Sequence, residues 1–499
     1  MPRYLSLLIA LLLLPSCRHA EEPRPNFLFV ITDDQSWLHA GPYGDTVVQT
    51  PALDQLAASG VVFEHAFTAA PSCTPSRSAL LAGRHMWQVG TGGTLYGALE
   101  GQYPVFPQLL ENAGYAIGYT GKTWGPGSLR PGGWERHPVG DSFEYFETDD
   151  HPAGVTSHDH ARNFSAFLDS LDQEEPFFFW MGFLEPHRRF EEGSGIASGK
   201  NPEDVALPGI FPDLPEIRSD ILDYYIEIEH IDSQLMQALA TLKDRGLADN
   251  TVVVYTSDNG MPFPRAKTTL YDMGVRMPLI VSWPGQNRET RHLTDFVSLI
   301  DISPTFLEMA GIEPPETVTG QSLVPLLMSE NDGRIDPKRD YVVAGVERHT
   351  LCRPEDATYP SRMLRTDDHL YIRNYTPDRW PAGLEDFVSI HQMIYGDIDN
   401  GITKSVMMDH RLDPKVVPFF ELAFGRRPAQ ELYDVHADPW QLTNLAENPE
   451  HKATLDSLAT ALDTILRETG DPRMEGGDPW SEYVYYSGEF GTLPDKPVQ

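Results

Sequence analysis

The sequence predicts an α/β fold: a large, doubly wound, mostly parallel sheet with flanking helices, followed by a smaller C-terminal α+β domain with an antiparallel sheet. Three observations carry that expectation. Continuous apolar runs recur at residues 26–32, 176–183 and 251–256, the mark of strands buried on both faces. Helical patterns separate them, above all over 217–245, where Ile221, Tyr224, Tyr225, Ile228, Ile231, Leu235 and Leu239 fall at three- and four-residue steps. Beyond about Arg365 the style changes to short alternating runs set between turns.

Taken in order, residues 26–32 read as a central strand ending on Asp33-Asp34. A helix follows over 50–59, with Pro51 in its first turn and Gly60 as its stop. A short strand at 61–67 leads to Cys73. The alternation continues with a helix near 107–113, a strand at 115–120 before Gly121-Lys122, and a helix near 158–171. The strand at 176–183 then ends close to Glu185-Pro186-His187, and the strand at 251–256 delivers Ser257-Asp258-Asn259-Gly260. Strands at 278–282 and 341–345, with a helix around 302–310 between them, complete a large domain over 24–355. The smaller domain and tail, 356–499, hold strands at 368–374 and 431–434 and a helix near 455–468.

The 499 residues, 40% hydrophobic and 22% charged, can build a full core and more than one domain, and suggest neither disorder nor a fibrous repeat. A formal net charge of -35 argues against nucleic acid and anionic membranes as partners. It leaves an anionic substrate open, because arginine, lysine or a metal ion can reverse the sign inside a cleft. Residues 1–20 combine a charged start with the apolar run Leu7 to Leu14, the pattern of a secretory signal. Leu14-Pro15-Ser16-Cys17 resembles a lipoprotein cleavage box, so that Cys17 is either a lipid anchor or is lost by ordinary cleavage. No later run is long enough to span a bilayer. The expected location is the bacterial periplasm, an outer-membrane tether or the extracellular medium. With three cysteines in all, no disulfide framework is implied.

Chemistry gathers at the ends of the central strands, where open α/β sheets keep their sites. Asp33, Asp34, Asp258 and Asn259 supply three carboxylates and an amide oxygen, hard ligands that suit Ca²⁺ or Mg²⁺ rather than a soft metal. Between the two groups lies Cys73-Thr74-Pro75-Ser76-Arg77, running on to Gly83-Arg84. The cysteine begins a stretch that can wind into a helix, with Arg77 on the same helical face. The positive end of a helix is where an anion is held best. The plain alternatives are a buried cysteine at a helix start and solvated turn acids.

From Cys73 to Arg84 the chain matches every defined position of C-x-P-S-R-x-x-x-L-x-G-R, and so resembles the activation signature of the type I sulfatases. The order of elements from Asn26 to Glu468 is similar to that family's alkaline phosphatase-like fold. The segment 427–434, with Asp438-Pro439 and Asn444-Leu445, looks like its second-domain signature. The resemblance implies that Cys73 is converted to formylglycine (3-oxoalanine) by a formylglycine-generating maturation enzyme, and that the hydrate is the nucleophile. It further implies that Asp33, Asp34, Asp258, Asn259 and residue 73 hold Ca²⁺, with Mg²⁺ not separated from it. Arg77 would hold the metal-side hydroxyl of the hydrate, Lys122 a sulfate oxygen, Lys267 the bridging side of the sulfate, and His187 would protonate the leaving group.

Two positions depart from the family pattern. Trp124 stands where sulfatases commonly have a histidine that assists loss of sulfate; the open alternatives are replacement by His137 or a histidine from another loop, or a slow last step. Leu184 stands where many relatives pair a second histidine with the one at 187. The segments 256–264 and 267–271 resemble the sulfamidases, which remove N-sulfate from glucosamine, as does 359–362, with Arg362 matched and Ser361 departing. Trp124, Arg188 and Arg362 are the expected substrate-binding residues, and Trp87, Tyr96 and Arg189 further pocket candidates. The favoured activity is an exo-acting carbohydrate sulfatase, with sulfamidase as runner-up; a phosphatase or phosphonate hydrolase and a noncatalytic glycan-binding protein are the readings from other classes.

Overall fold

The structure is a computed structural model and describes residues 24–172, 175–284, 289–389 and 391–486. The signal segment, Cys17 and the end of the tail lie outside the described residues. Nine strands form the main sheet: β1 (Asn26–Thr32), β2 (Val61–Phe67), β3 (Ala116–Gly121), β4 (Asp141–Ser142), β5 (Phe177–Gly182), β6 (Thr251–Ser257), β7 (Arg276–Met277), β8 (Leu279–Ser282) and β9 (Arg291–Ser298). Their order is β4-β3-β5-β1-β6-β8-β2-β7, with β9 also on β2. The pairs from β4 through β6 are parallel, as is β2 with β9, whereas β8 runs antiparallel to β6 and β2.

Strand β1 shows why its sequence is apolar throughout. Phe27, Phe29 and Ile31 join the core on one side of the sheet, with Leu80, Leu81, Phe106 and Phe306. Leu28 and Val30 join the other, with Leu53, Phe164, Phe167, Ile231 and Leu235. Side chains alternate across a strand, so a strand covered by helices on both faces has no polar side to show. The helices Cys73–Ala82, Phe106–Asn112 and Ile302–Met309 supply the first layer; Pro51–Ala58, His160–Asp169 and Pro215–Asp244 supply the second.

The long helix does more than bury an apolar stripe. Asp232, 2% exposed, accepts hydrogen bonds at 2.9 Å from the backbone N–H groups of Ala52 and Leu53 and so caps the helix Pro51–Ala58.

A second sheet of four antiparallel strands runs β10 (Tyr341–Val346), β11 (Ser361–Thr366), β12 (His369–Asn374) and β13 (Gln430–Asp434), in that order. Here the sequence reading needs correction. Residues 341–345 were assigned to the large domain, but the register Tyr341↔Thr366 to Val346↔Ser361 places them in the small sheet. The antiparallel sheet thus starts before residue 356. The helix Lys452–Glu468 covers it, with Leu455, Leu462 and Leu466 meeting Val343, Leu364, Tyr371 and Leu432. No helix among the described residues is long and apolar enough to cross a membrane.

Candidate active site

Four strands of the main sheet deliver the site. Asp33 and Asp34 follow β1, and Asp34 takes a left-handed conformation with φ 73° that turns the chain away from the strand end. Its backbone N–H donates to Asp258 Oδ1 at 3.1 Å, which ties the ends of β1 and β6 together. Lys122 follows β3 and donates its N–H to the Gly182 carbonyl, while His187 follows β5. Asp33, Asp34, Asp258 and Asn259 are all fully buried.

Cys73 is the first residue of the helix Cys73–Ala82 and is 2% exposed, with its thiol 3.4 Å from Asp33 Oδ1. Burial, reinforced by the Asp33 charge, pushes the thiol well above the usual range. The helix N-terminus therefore does not make this cysteine a reactive thiolate, contrary to the simple expectation from its position. Arg77, one turn on and fully buried, donates from Nε to Asp258 Oδ2 at 2.7 Å and from its terminal nitrogens to the carbonyls of Thr123 at 2.6 Å and Thr32 at 3.3 Å. It clamps three strand ends with one planar group.

Two lysines enter from opposite sides. Lys122 Nζ pairs with Asp33 Oδ2. Lys267 Nζ lies 2.7 Å from Asp34 Oδ2 and 3.2 Å from Asp399 Oδ2. Burial disfavours both charges, but the neighbouring carboxylates outweigh it and hold both ammonium groups above their ordinary range. Burial would raise the Asp33 carboxyl, yet Lys122, His187 and Arg77 hold it well below the usual range. Asp258 goes the other way, pushed up to about 6 by burial against the pull of Arg77.

The donor set fits a hard cation. Asp33, Asp34 and Cys73 each bring a ligand atom within 4.8 Å of the others. Asn259 donates from Nδ2 to Asp34 Oδ1 at 2.6 Å, but its own Oδ1 is buried without a hydrogen-bond partner. A buried amide oxygen left unpaired beside crowded carboxylates is accounted for by a cation that binds oxygen.

The site opens into a cleft of about 650 Å³ lined by Cys73, Lys122, Trp124, His187, Lys267 and Asp399, among others. His187 Nδ1 lies 2.7 Å from the Arg188 carbonyl, an acceptor only, so that nitrogen carries the hydrogen, and Nε2 faces Asp34 Oδ2 at 3.8 Å. Trp124 lines the wall and donates from Nε1 to Ser78 Oγ at 2.8 Å. His137 also reaches the cleft, 2.8 Å from Thr123 Oγ1, and burial drives its pKa down to about 3. Leu184, 45% exposed, lies at the rim.

Two expected substrate-binding residues are not brought into the cleft. The Arg188 guanidinium is occupied by Asp220, at 2.8 and 2.6 Å. Arg362 is fully buried in β11 between Glu347 at 2.7 Å and Asp471 at 2.6 Å. Trp87 is likewise buried, beside Arg362, and Tyr96 lines the cleft. Sequence reasoning missed Asp399, His349 and His391, which come from loops of the later chain that carry no motif.

The fold and this buried, oxygen-rich constellation are those of a hydrolase, and the family model described as Sulfatase matches residues 25–312. The chain belongs to the sulfatase family. It is 28% identical over 510 residues to the N-sulphoglucosamine sulphohydrolase of Homo sapiens, covering 93% of both chains. It is 25% identical to an ulvan-active sulfatase of Formosa agariphila, covering 90% of this chain and 76% of the other. Among solved structures, one described as in complex with its substrate D-glucosamine-2-N,6-O-disulfate superposes with a TM-score of 0.63 at 19% identity, covering 91% of this chain and 99% of that one. The phosphonate monoester hydrolase of Agrobacterium radiobacter superposes as well, with a TM-score of 0.65 at 18% identity and 89% and 96% coverage. That breadth shows a shared fold, and chemistry must be argued from the site.

Proposed function

We propose that this chain is an exo-acting carbohydrate sulfatase whose nucleophile is formylglycine made from Cys73. The observation that carries the reading is the position of Cys73: a thiol held neutral by burial, 3.4 Å from Asp33 and between two lysines, at the floor of the cleft. Burial and the Asp33 charge disfavour a thiolate there, which supports an oxidised form as the working nucleophile. The hydrate of formylglycine would supply the attacking hydroxyl. A divalent cation, Ca²⁺ by resemblance to the family, would be held by Asp33, Asp34, Asp258, Asn259 and residue 73 and would supply positive charge facing the sulfate. Because Cys73 is 2% exposed, its conversion has to act on the chain before it folds, which fits a separate maturation enzyme.

The chain's own groups divide the remaining work. Lys122 and Lys267 direct two ammonium groups at the anion and offset the acidity of the whole protein at short range. Arg77 fixes Asp258 and the strand ends so that these charges stay in place. His187, with Nδ1 committed to a carbonyl, presents Nε2 to donate a proton to the departing oxygen or nitrogen. His349, His391 and Asp399 of the later chain join the cleft lining, and contacts from that side fit a chain-end sugar. The signal-like start supports export, with or without a lipid on Cys17.

A second reading, hydrolysis of N-sulfated glucosamine, is favoured by the match to the human sulphohydrolase over 93% of both chains. The two are separated by sulfate release from matched O- and N-sulfated saccharides, using protein whose formylglycine content is verified by mass spectrometry. Cys73→Ala is expected to abolish release, by at least about 10³-fold, while the melting temperature stays near that of the parent. Full activity in that variant would end the formylglycine reading.

A further inference from the structure

Asp399 is a carboxylate that the reaction as described does not need. It lies in the cleft, and the turn that carries it is fixed from both sides. Buried Lys404 donates to the carbonyls of Tyr395 at 3.2 Å and Ile398 at 2.7 Å and to Asn400 Oδ1 at 3.0 Å. The Asp397 carboxylate receives the N–H and hydroxyl of Thr350, both at 2.8 Å, and Arg353 at 2.6 Å. Thr268, next to Lys267, donates to the Asp397 carbonyl at 2.8 Å. The main chain one and two residues before Asp399, and the Asn400 side chain just after it, are thus held in place.

Asp399 Oδ2 is 3.2 Å from Lys267 Nζ as an ion pair but is buried without a hydrogen-bond partner, and no described residue donates to Oδ1 either. Ligand atoms of Asp34, His187 and Asp399 lie within 4.8 Å of one another. A carboxylate set rigidly against the path of an anionic substrate costs binding energy unless the substrate brings it a hydrogen-bond donor. With His187 as the proposed proton donor to the leaving oxygen or nitrogen, a carboxylate within 4.8 Å of it is in reach of a donor close to that atom.

Resting on the carbohydrate-sulfatase reading, we propose that Asp399 is a specificity-determining residue that accepts a hydrogen bond from a hydroxyl or amino group on the sugar carbon next to the sulfated position. The free donor is thereby required, and a substrate whose neighbouring position is O-acylated, O-sulfated or deoxy is rejected. Such a site discriminates because the unmatched carboxylate is left unpaired when the donor is missing.

The test uses formylglycine-containing full-length protein and two sulfated monosaccharides that differ only in whether the neighbouring carbon bears the donor or hydrogen, with an aryl sulfate as control. Asp399→Ala should lower kcat/KM on the donor-bearing sugar by about 10- to 100-fold more than on its deoxy analogue, mainly through KM. Asp399→Asn, which keeps the shape, should remove about half of that discrimination for a hydroxyl donor and all of it for an ammonium donor. Equal losses on both sugars, or an unchanged ratio in Asp399→Asn, would overturn the proposal and leave Asp399 as a support for Lys267. A wild-type enzyme that cleaves the aryl sulfate but no sugar sulfate would instead remove the carbohydrate reading itself, and this inference with it.

Discussion

Glu227 lies on the long helix Pro215–Asp244, 2% exposed, and among the described residues none offers it a counter-charge. Burial, together with the nearby Glu185 charge, pushes its pKa up to about 9 from an ordinary value of 4.5. The folded state therefore binds this proton more tightly than the unfolded chain. The stability it contributes is fully present below about 4.5 and is lost as pH rises toward 9. Glu227→Gln keeps the shape of the protonated acid and never ionises. Its melting temperature should match the parent at pH 5 and exceed it at pH 8 by at least about 2 °C. A variant less stable at both pH values would show that the carboxyl makes contacts the amide cannot replace. Such residues were invisible in the sequence, where Glu227 falls between Ile226 and Ile228 and reads as one turn of a solvated face. Asp33, Asp34, Asp258 and Asn259 were legible because strand ends announce themselves: an apolar run stops abruptly on consecutive hard-oxygen side chains. Asp399 stands in a loop held by Lys404 and Thr268, and nothing local in the sequence marks it.

At the level of elements, apolar runs buried on both faces were the most readable. Strand β11 escaped because its sequence, Ser361-Arg-Met-Leu-Arg-Thr366, buries two arginines rather than alternating apolar with polar. Arg362 is neutralised by Glu347 and Asp471, and Arg365 binds Asp272 with two nitrogens at 3.0 Å each, so two of the three acids lie far away in the chain and Glu347 follows the end of β10. The likeness of Arg362 to a sugar-pocket residue misled for the same reason: its role is set by acids more than a hundred residues distant or on a neighbouring strand. Strand β9 was missed because polar residues interrupt it. By contrast Gly121, flagged as part of Gly121-Lys122, has a structural reason to be glycine. It ends β3 at φ 71°, and a Cβ there would lie 2.0 Å from the Gly182 carbonyl oxygen and 2.6 Å from His160. Gly121→Ala should destabilise the fold by about 2 kcal/mol or more and lower kcat as well, because the next residue is Lys122. Urea midpoints and sulfate release on the same preparation check this; parent-like stability would mean that the two strands part at no cost.

The molecule as a whole joins its two sheets through buried ion pairs. Arg365 of the small sheet reaches Asp272 beside the main one, and Asp399 joins the lining of the cleft. That arrangement resolves the apparent conflict between a net charge of -35 and an anionic substrate, because the two act over different ranges. The acidic surface projects its repulsion far into solvent when salt is low, the screening length being about 30 Å at 0.01 M and about 8 Å at 0.15 M. Lys122 and Lys267 sit on the cleft floor and are felt only by an anion already inside. Raising the salt from about 10 to about 150 mM removes the distant repulsion before it weakens the local attraction. For a sulfated saccharide kcat/KM should therefore rise by about twofold or more over that interval, while kcat at saturation changes little. Steady-state kinetics in sodium chloride, with divalent cation held constant, measure the effect directly. A fall in kcat/KM over the same range would mean that the cleft's positive field already extends beyond the acidic surface and steers the substrate in, against the balance of charges argued from the residues.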